Sequence, residues 1–133
     1  MVTGTVLDEA PNDMRSIAQE FYRLAYLERK PEAAARLLDR SLRQHDPRIA
    51  DGRDAYVGAL TELLGTYPFL ECSIKRTVAD ADLVVVHGRL VPEPGDKGRA
   101  FVDILRIEGD KIVERWSVEQ DVPATSANRN GLF

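Results

Sequence analysis

The chain has 133 residues, of which 44% are hydrophobic and 30% charged, and its formal net charge at pH 7 is −4. This size predicts a single domain over residues 1–133, and the balance of apolar and charged residues excludes an intrinsically disordered chain. Lysine and arginine are spread along the whole length, so no nucleic-acid partner is expected. No apolar run approaches the roughly 20 residues that cross a bilayer, so no membrane association is expected either.

The N-terminus and the cysteine content bear on location. Residues 1–10 lack a basic start and an apolar stretch, and we expect a flexible N-terminus rather than a signal peptide. The single cysteine, Cys72, cannot form an internal disulfide. This favours a reducing, cytoplasmic location.

The first half of the chain has helical periodicity. Asn12 or Asp13 is a suitable N-cap for a first helix, whose apolar face is Met14, Ile17, Ala18, Phe21, Leu24 and Ala25. Pro31 begins a second helix, with an apolar side of Ala34, Leu37 and Leu38. A polar break over residues 43–52 follows, and Asp51 can cap a third helix. The buried face of that helix is expected to be Ala55, Tyr56, Ala59, Leu60, Leu63 and Leu64.

After Pro68 the period changes from helix to strand. Strands are expected at residues 72–78, 83–91, 101–107 and 112–120, and the last two are joined by a hairpin. Residues 121–133 show no periodicity and are expected to be a tail. Helices followed by hairpin-connected strands predict an α+β fold in which three helices cover a curled antiparallel sheet of about four to six strands. Such a sheet encloses a cone with an internal pocket.

Several segments, in this order and spacing, carry a family resemblance. They read QHDP (44–47), DGRDA (51–55), DLVVVH (82–87), VDILR (102–106), GDKIVE (109–114) and NGLF (130–133). Together with Trp116, Gln120 and Pro123 they resemble the SnoaL-like, polyketide-cyclase branch of the nuclear-transport-factor-two-like superfamily. The resemblance covers the chain from about Phe21 to Phe133.

This resemblance implies a cone-shaped α+β barrel, a homodimer, and a pocket that needs no metal or organic cofactor. Family members close polyketide rings by aldol condensation, with the Asp of an EHWD motif as acid/base. Here Glu114-Arg115-Trp116-Ser117 stands in that place, so Ser117 replaces the Asp and Arg115 replaces the His. A serine hydroxyl cannot take an α-proton at neutral pH without a neighbouring base.

Three residues are the catalytic candidates: Asp103, His87 and His45. Asp103 lies between Phe101 and Leu105 on one strand face, so it is protonated, bonded to a basic group in a buried ion pair or hydrogen-bonded network, or catalytic. Its candidate partners are His87, Arg106 and Arg115. His87 shares a strand face with Val85 and Arg89, and either lines the pocket or is a hydrogen-bonded core histidine. His45 lies in the polar break and either contacts a ligand or orders the loop.

The remaining pocket candidates are side chains that could contact a ligand: Tyr22, Tyr26, Asp46, Arg106, Arg115, Ser117 and Glu119. Tyr22 or Tyr26 could offer a phenol, and an arginine could stabilise enolate charge. Asp46 could instead form an Asx turn before Pro47. Glu119 is either a carboxylate relocated about 6.6 Å along the strand from Ser117 or a solvated residue at the rim.

Neither a metal site nor a cofactor site is expected. The two histidines form no HxH or HExxH spacing, no cysteine cluster accompanies them, and no glycine-rich phosphate loop occurs. Trp116 and Val118 on the outer sheet face predict a homodimer packed sheet to sheet.

Three functions stay open. The first is a pocket protein that performs cofactor-free aldol, cyclisation or isomerisation chemistry on a hydrophobic carbonyl compound. The second is a non-catalytic ligand-binding or dimerisation module, which Ser117 favours. The third is epoxide hydrolysis, which requires an Asp-Arg-Asp constellation around a water, and Asp103 and Arg106 supply at most part of it.

Overall fold

A computed structural model describes residues 13–133 of the chain. The expected flexible N-terminus at residues 1–10 and the alternative N-cap Asn12 lie outside the described residues. The helices are α1 (Met14–Tyr22), α2 (Pro31–Ala34) and α3 (Arg53–Thr66), with a π-helical turn at Arg23–Leu27 and a 3-10 turn at Ala35–Leu37. Within the described residues, no helix combines the length and the apolar character needed to cross a membrane.

The N-cap of α1 is one of the two residues predicted from the sequence, whereas the N-cap of α3 is not the predicted one. Asp13 caps α1, because its carboxylate accepts a hydrogen bond from the Arg15 amide at 2.9 Å. The prediction that Asp51 caps α3 is wrong, since the N-cap is Gly52, with φ of 103°. The Asp51 carboxylate instead accepts a hydrogen bond from the Gln44 amide at 2.8 Å. Asp51 therefore joins the segment before α3 to the end of the chain's first strand, at Gln44.

Five strands form one sheet in the order β1-β5-β4-β3-β2. Their bounds are β1 (Leu38–Gln44), β2 (Glu71–Asp80), β3 (Leu83–Val91), β4 (Arg99–Glu108) and β5 (Lys111–Asp121). Strands β2 to β5 pair antiparallel with their chain neighbours. The helices pack on one face of this curled sheet, so the predicted α+β fold is confirmed.

Strand β1 is a correction to the sequence analysis, which assigned Leu38 to a helix and residues 43–52 to a polar break. It pairs parallel with β5 at the sheet edge, so the sheet is mixed. Only Leu38 and Leu42 of this strand are buried, four residues apart, and the exposed Arg40 lies between them. Two apolar residues four positions apart are typical of a helix. Because an edge strand buries few side chains, this one lacks the apolar alternation that would have identified it.

The core lies between the helices and the inner face of the sheet. Its largest fully buried apolar side chains are Phe21, Leu38, Leu42, Val84, Val86, Leu105 and Ile112. Gly88 faces the same side, and a Cβ there would lie only 2.4 Å from the Phe101 ring. Glycine at this position therefore leaves room for an aromatic side chain on β4.

Residues after Asp121 form no regular element, and they return towards the outer face of the sheet. The Val122 amide donates to the Gly98 carbonyl at 3.1 Å. At the other end of this segment, the Phe133 ring lies 6.1 Å from the His87 ring and 5.1 Å from the Arg89 guanidinium. The outer face of β3 is thus partly covered by the chain itself.

Candidate functional site

A cavity of about 390 Å³ lies between α3 and the inner face of β3, β4 and β5. This volume is in the range of small-molecule sites. Its apolar wall includes Ile49, Leu60, Leu63, Leu70, Leu90 and Phe101. Its polar lining includes Asp46, Asp103 and Arg115, and the charged residues Arg48, Glu62, Arg99 and Glu119 also line it.

Asp103 is at the buried end of the cavity, with 2% of its surface exposed. The alternation of β4 places it inward between Phe101 and Leu105, which are also buried. The Tyr22 hydroxyl donates a hydrogen bond to its Oδ2, and Arg115 Nη2 donates to its Oδ1 at 3.5 Å. Of the three partners expected from the sequence, only Arg115 contacts it.

Arg115 is buried beside Asp103 because β5 contains a register shift between the Arg106 and Ile107 pairings. The shift turns both Ile112 and Arg115 towards the inside. The Arg115 guanidinium lies 3.5 Å from the Asp103 carboxylate and 3.6 Å from the Asp46 carboxylate. Gln44 Oε1 accepts a further hydrogen bond from it at 3.1 Å. One cation therefore sits between two buried carboxylates.

Asp46 forms the predicted turn and also lines the cavity. Its Oδ1 accepts a hydrogen bond from the Arg48 amide at 3.0 Å, which is the Asx-turn geometry. The Arg48 side chain also donates to this carboxylate and holds its pKa at about 2. Because an unfolded aspartate titrates near 3.9, this pairing stabilises the fold above about pH 4, and the contribution is lost as the pH falls towards 2.

Three tyrosines surround the polar end. Tyr22 and Tyr26 stack with ring centroids 6.0 Å apart, where α1 passes into the π-helical turn. Tyr56, on α3, lies under Arg115, whose guanidinium is 4.5 Å from the ring centroid. Burial raises the pKa of all three phenols above their usual value near 10. They are therefore neutral hydrogen-bond donors near pH 7.

Ser117 and Glu119 follow Arg115 along the inner face of β5. Ser117 is paired with Asp103 on the neighbouring strand, and its hydroxyl is buried without a hydrogen-bond partner among residues 13–133. Glu119 is at the mouth of the cavity, where it accepts hydrogen bonds from Arg48 and Arg99, each at 3.1 Å. It is an ion-paired rim residue, and its side chain is 20% exposed.

Three of the predicted site residues lie on the outer face of the sheet, away from the cavity. His87 contacts Arg76 there, and its neighbours Val84 and Val86 face the core instead. His45 contacts Glu114 at 2.7 Å and stacks on Trp116 at 4.7 Å between centroids. Arg106 also binds Glu114, at 2.9 Å. The structure therefore does not bring His87, His45 or Arg106 together with Asp103.

Cavity residues missed from the sequence include Arg48, Tyr56 and Arg99. Gln44, which binds Arg115, was missed as well. Tyr56 was assigned only to the apolar face of α3, although a buried tyrosine hydroxyl usually needs a partner. This requirement could have indicated that the Tyr56 hydroxyl lies near polar groups or a cavity. Gln44 and Arg48 flank Asp46, whose turn was predicted, but strand β1, which ends at Gln44, was not. Nothing in the sequence pattern distinguishes Arg99 from other surface arginines.

The curled sheet, the helices that cover it and the cavity between them are the architecture of the nuclear-transport-factor-two-like class. The SnoaL-like domain family matches residues 18–115, which is most of the chain. The chain belongs to this family. A comparison with curated proteins found no significant match.

Solved structures share the fold at low sequence identity. TsrD from Streptomyces laurentii is 20% identical, with a TM-score of 0.69 over 86% of this chain and 91% of that one. A protein from Bacillus cereus proposed to be a polyketide cyclase is 21% identical, with a TM-score of 0.71 over 86% and 78%. A protein from Kribbella flavida proposed to be a ketosteroid isomerase is 20% identical, with a TM-score of 0.70 over 88% and 84%.

Proposed function

We propose that this chain is an enzyme that performs cofactor-free acid/base chemistry on an apolar carbonyl compound, of the aldol, cyclisation or isomerisation type. The observation that carries the proposal is Asp103, a carboxylate that is buried between Phe101 and Leu105 and lines a cavity with an apolar wall. Ionisable groups in such surroundings are costly to bury, and they are concentrated at functional sites. Similar structures proposed to be a polyketide cyclase and a ketosteroid isomerase support the same reaction class.

Asp103 is a better proton acceptor than Asp46. Its Oδ2 is engaged by Tyr22, whereas its Oδ1 has only the 3.5 Å contact with Arg115 among residues 13–133. Oδ1 is therefore the oxygen with capacity to take an α-proton. Arg48 holds the pKa of Asp46 at about 2, far below the neutral range in which a general base works best.

Two donors are available for the substrate oxygen. The Tyr56 hydroxyl and Arg115 Nε are buried without hydrogen-bond partners in the part of the chain that the structure describes. As the α-proton leaves, the carbonyl oxygen gains negative charge, and donors already in place stabilise it without reorganisation. In this scheme Asp103 takes the proton, and Arg115 and Tyr56 hold the enolate oxygen.

With Asp103 as the base, the enzyme does not need a carboxylate at position 117. A carboxylate at this position, as in the family motif, would lie opposite Asp103 on the neighbouring strand. The two positions are therefore adjacent on paired strands, Asp103 in the cavity wall and Ser117 beside it. Asp103 can supply from β4 the carboxylate that β5 lacks.

Epoxide hydrolysis is the second candidate, and one observation favours it. Arg115 lies between Asp103 and Asp46, at 3.5 Å and 3.6 Å. These residues form an Asp-Arg-Asp constellation, in which Arg115 has the role that the sequence analysis gave to Arg106. One carboxylate would activate a water and the other would assist epoxide opening.

One experiment separates these functions. The protein is incubated with 2-tetralone in D₂O and, separately, with styrene oxide, and both are followed by NMR. The proposal expects deuterium to enter the α-positions of the ketone faster than in buffer, with no diol from the epoxide. Diol formation without exchange would support the epoxide hydrolase. Binding of tetralone without either reaction would support the ligand-binding module.

We also propose that the protein is a homodimer packed through the outer face of the sheet. Val118 and Val78 on that face are 67% and 59% exposed. Light scattering at micromolar concentration is expected to give twice the mass of one chain, and Val118→Lys is expected to shift it towards the monomer. Leu27→Lys, on the helical side, is the control. A monomeric mass for the unmodified protein would contradict the proposal.

A further inference from the structure

The cavity is adjacent to a second space, a groove of about 380 Å³ that also contacts Pro47, Ser117 and Asp121. We call it the outer groove. Four residues line both spaces: Asp46, Arg48, Arg99 and Glu119. These shared side chains form the boundary between the cavity and the outer groove.

Glu119 holds this boundary together. It projects from β5 and binds Arg48 from the turn after β1, with contacts of 3.1 Å and 3.4 Å. It also binds Arg99 from β4 at 3.1 Å. Arg48 also binds Asp46 at 2.8 Å, and Arg99 lies 3.7 Å from Asp121, so opposite charges alternate across the boundary.

We propose that Glu119 sets the length of ligand that this chain accepts, by holding Arg48 and Arg99 across the passage between the cavity and the outer groove. This inference rests on the proposed function in one respect, that the cavity binds a small carbonyl compound. The cavity takes the apolar body of the ligand. The outer groove takes an uncharged, hydrogen-bonding end, such as a hydroxyl group, once the passage is open.

The physical basis is that Glu119 is the carboxylate that bridges the two arginines. Arg48 is 60% exposed and Arg99 is 36% exposed, whereas Glu119 is 20% exposed. Long, exposed side chains lose conformational entropy when they are held in one geometry, and exposed ion pairs repay little of it. Without Glu119, Arg48 keeps its contact with Asp46 and Arg99 keeps its contact with Asp121, but no carboxylate bridges them, so the passage between them opens and the two spaces join.

The test uses fluorescent ketones of increasing length, 6-alkoxy-2-acetylnaphthalenes with a terminal hydroxyl on the alkoxy chain. The unmodified protein is expected to bind the shortest member and to lose affinity as the chain lengthens. Glu119→Ala is expected to bind the longest member at least about tenfold more tightly than the unmodified protein does, and the shortest one equally. Glu108→Ala, which removes an exposed partner of Arg106 on the outer face, is the matched control.

Equal affinity of the two proteins for the long probe, or an equal gain for short and long probes, overturns the proposal. A second measurement needs no ligand. Arg115 Nε–H is buried beside the passage, and its hydrogen exchange, followed by ¹⁵N NMR, is expected to be faster in Glu119→Ala than in Glu108→Ala. Unchanged exchange overturns the role of Glu119. Absence of binding by every probe counts against the pocket function instead.

Discussion

Replacing Arg115 by methionine is expected to lower the free energy of unfolding by about 3–5 kcal/mol, because the change leaves two buried carboxylates without their shared cation. Asp103 and Asp46 each have 3% of their side chains exposed, and Arg115 has 7%. Methionine keeps much of the volume, so the lost charge rather than a cavity dominates the effect. Chemical denaturation monitored by circular dichroism measures the difference.

Arg23→Met is the matched control for this prediction. Arg23 also binds two carboxylates, Glu20 at 2.8 Å and Glu28 at 3.4 Å, but it is 46% exposed. Exposed ion pairs contribute little to stability because water and salt screen them, so the control is expected to unfold almost like the unmodified protein. Similar losses for Arg115→Met and Arg23→Met would show that the buried constellation is not held together by Arg115.

Asp103→Asn is expected to slow α-proton exchange of 2-tetralone by about 10²–10⁴-fold, the usual cost of losing a general base. Asparagine keeps the shape and still accepts the hydrogen bond from Tyr22, but it cannot take a proton. The exchange rate is measured by NMR in D₂O at saturating ketone. The thermal unfolding midpoint of each variant shows whether it is folded.

Asp46→Asn serves as the comparison, because it also changes a buried carboxylate beside Arg115. The pKa of Asp46 is held at about 2, so its loss is expected to cost less in rate than the loss of Asp103. A larger loss of exchange rate for Asp46→Asn than for Asp103→Asn would mean that Asp46, and not Asp103, is the general base. Full activity in both variants would mean that neither Asp103 nor Asp46 carries the proton.

The fold was predictable because its main elements have clear periods. The β-branched run of residues 83–91 gave β3 with the same bounds. Strand β1 was not predictable, because its pairing with β5 joins segments far apart in sequence and only Leu38 and Leu42 are apolar and buried. Local pattern carries no information about which distant strand an edge segment joins.

The site was predictable only in part. Alternation separates the two faces of a strand, but it does not say which face is inside. In β3 the valines Val84 and Val86 face the core, and His87 consequently faces outward. In β5 a one-residue register shift decides that Arg115 is buried beside Asp103. A bulge leaves little trace in a single sequence, because its effect depends on the neighbouring strand.

The most direct measurement of the central claim compares the binding of 2-tetralone with that of 2-naphthol by titration calorimetry. 2-Naphthol is a planar, stable mimic of the enol that forms when Asp103 removes an α-proton. An enzyme binds such a mimic more tightly than the ketone, because its donors at Arg115 and Tyr56 are placed for the charge that develops on the oxygen. We expect 2-naphthol to bind at least about 10²-fold more tightly. Equal affinities would contradict acid/base catalysis in this cavity and would leave a protein that only binds its ligand.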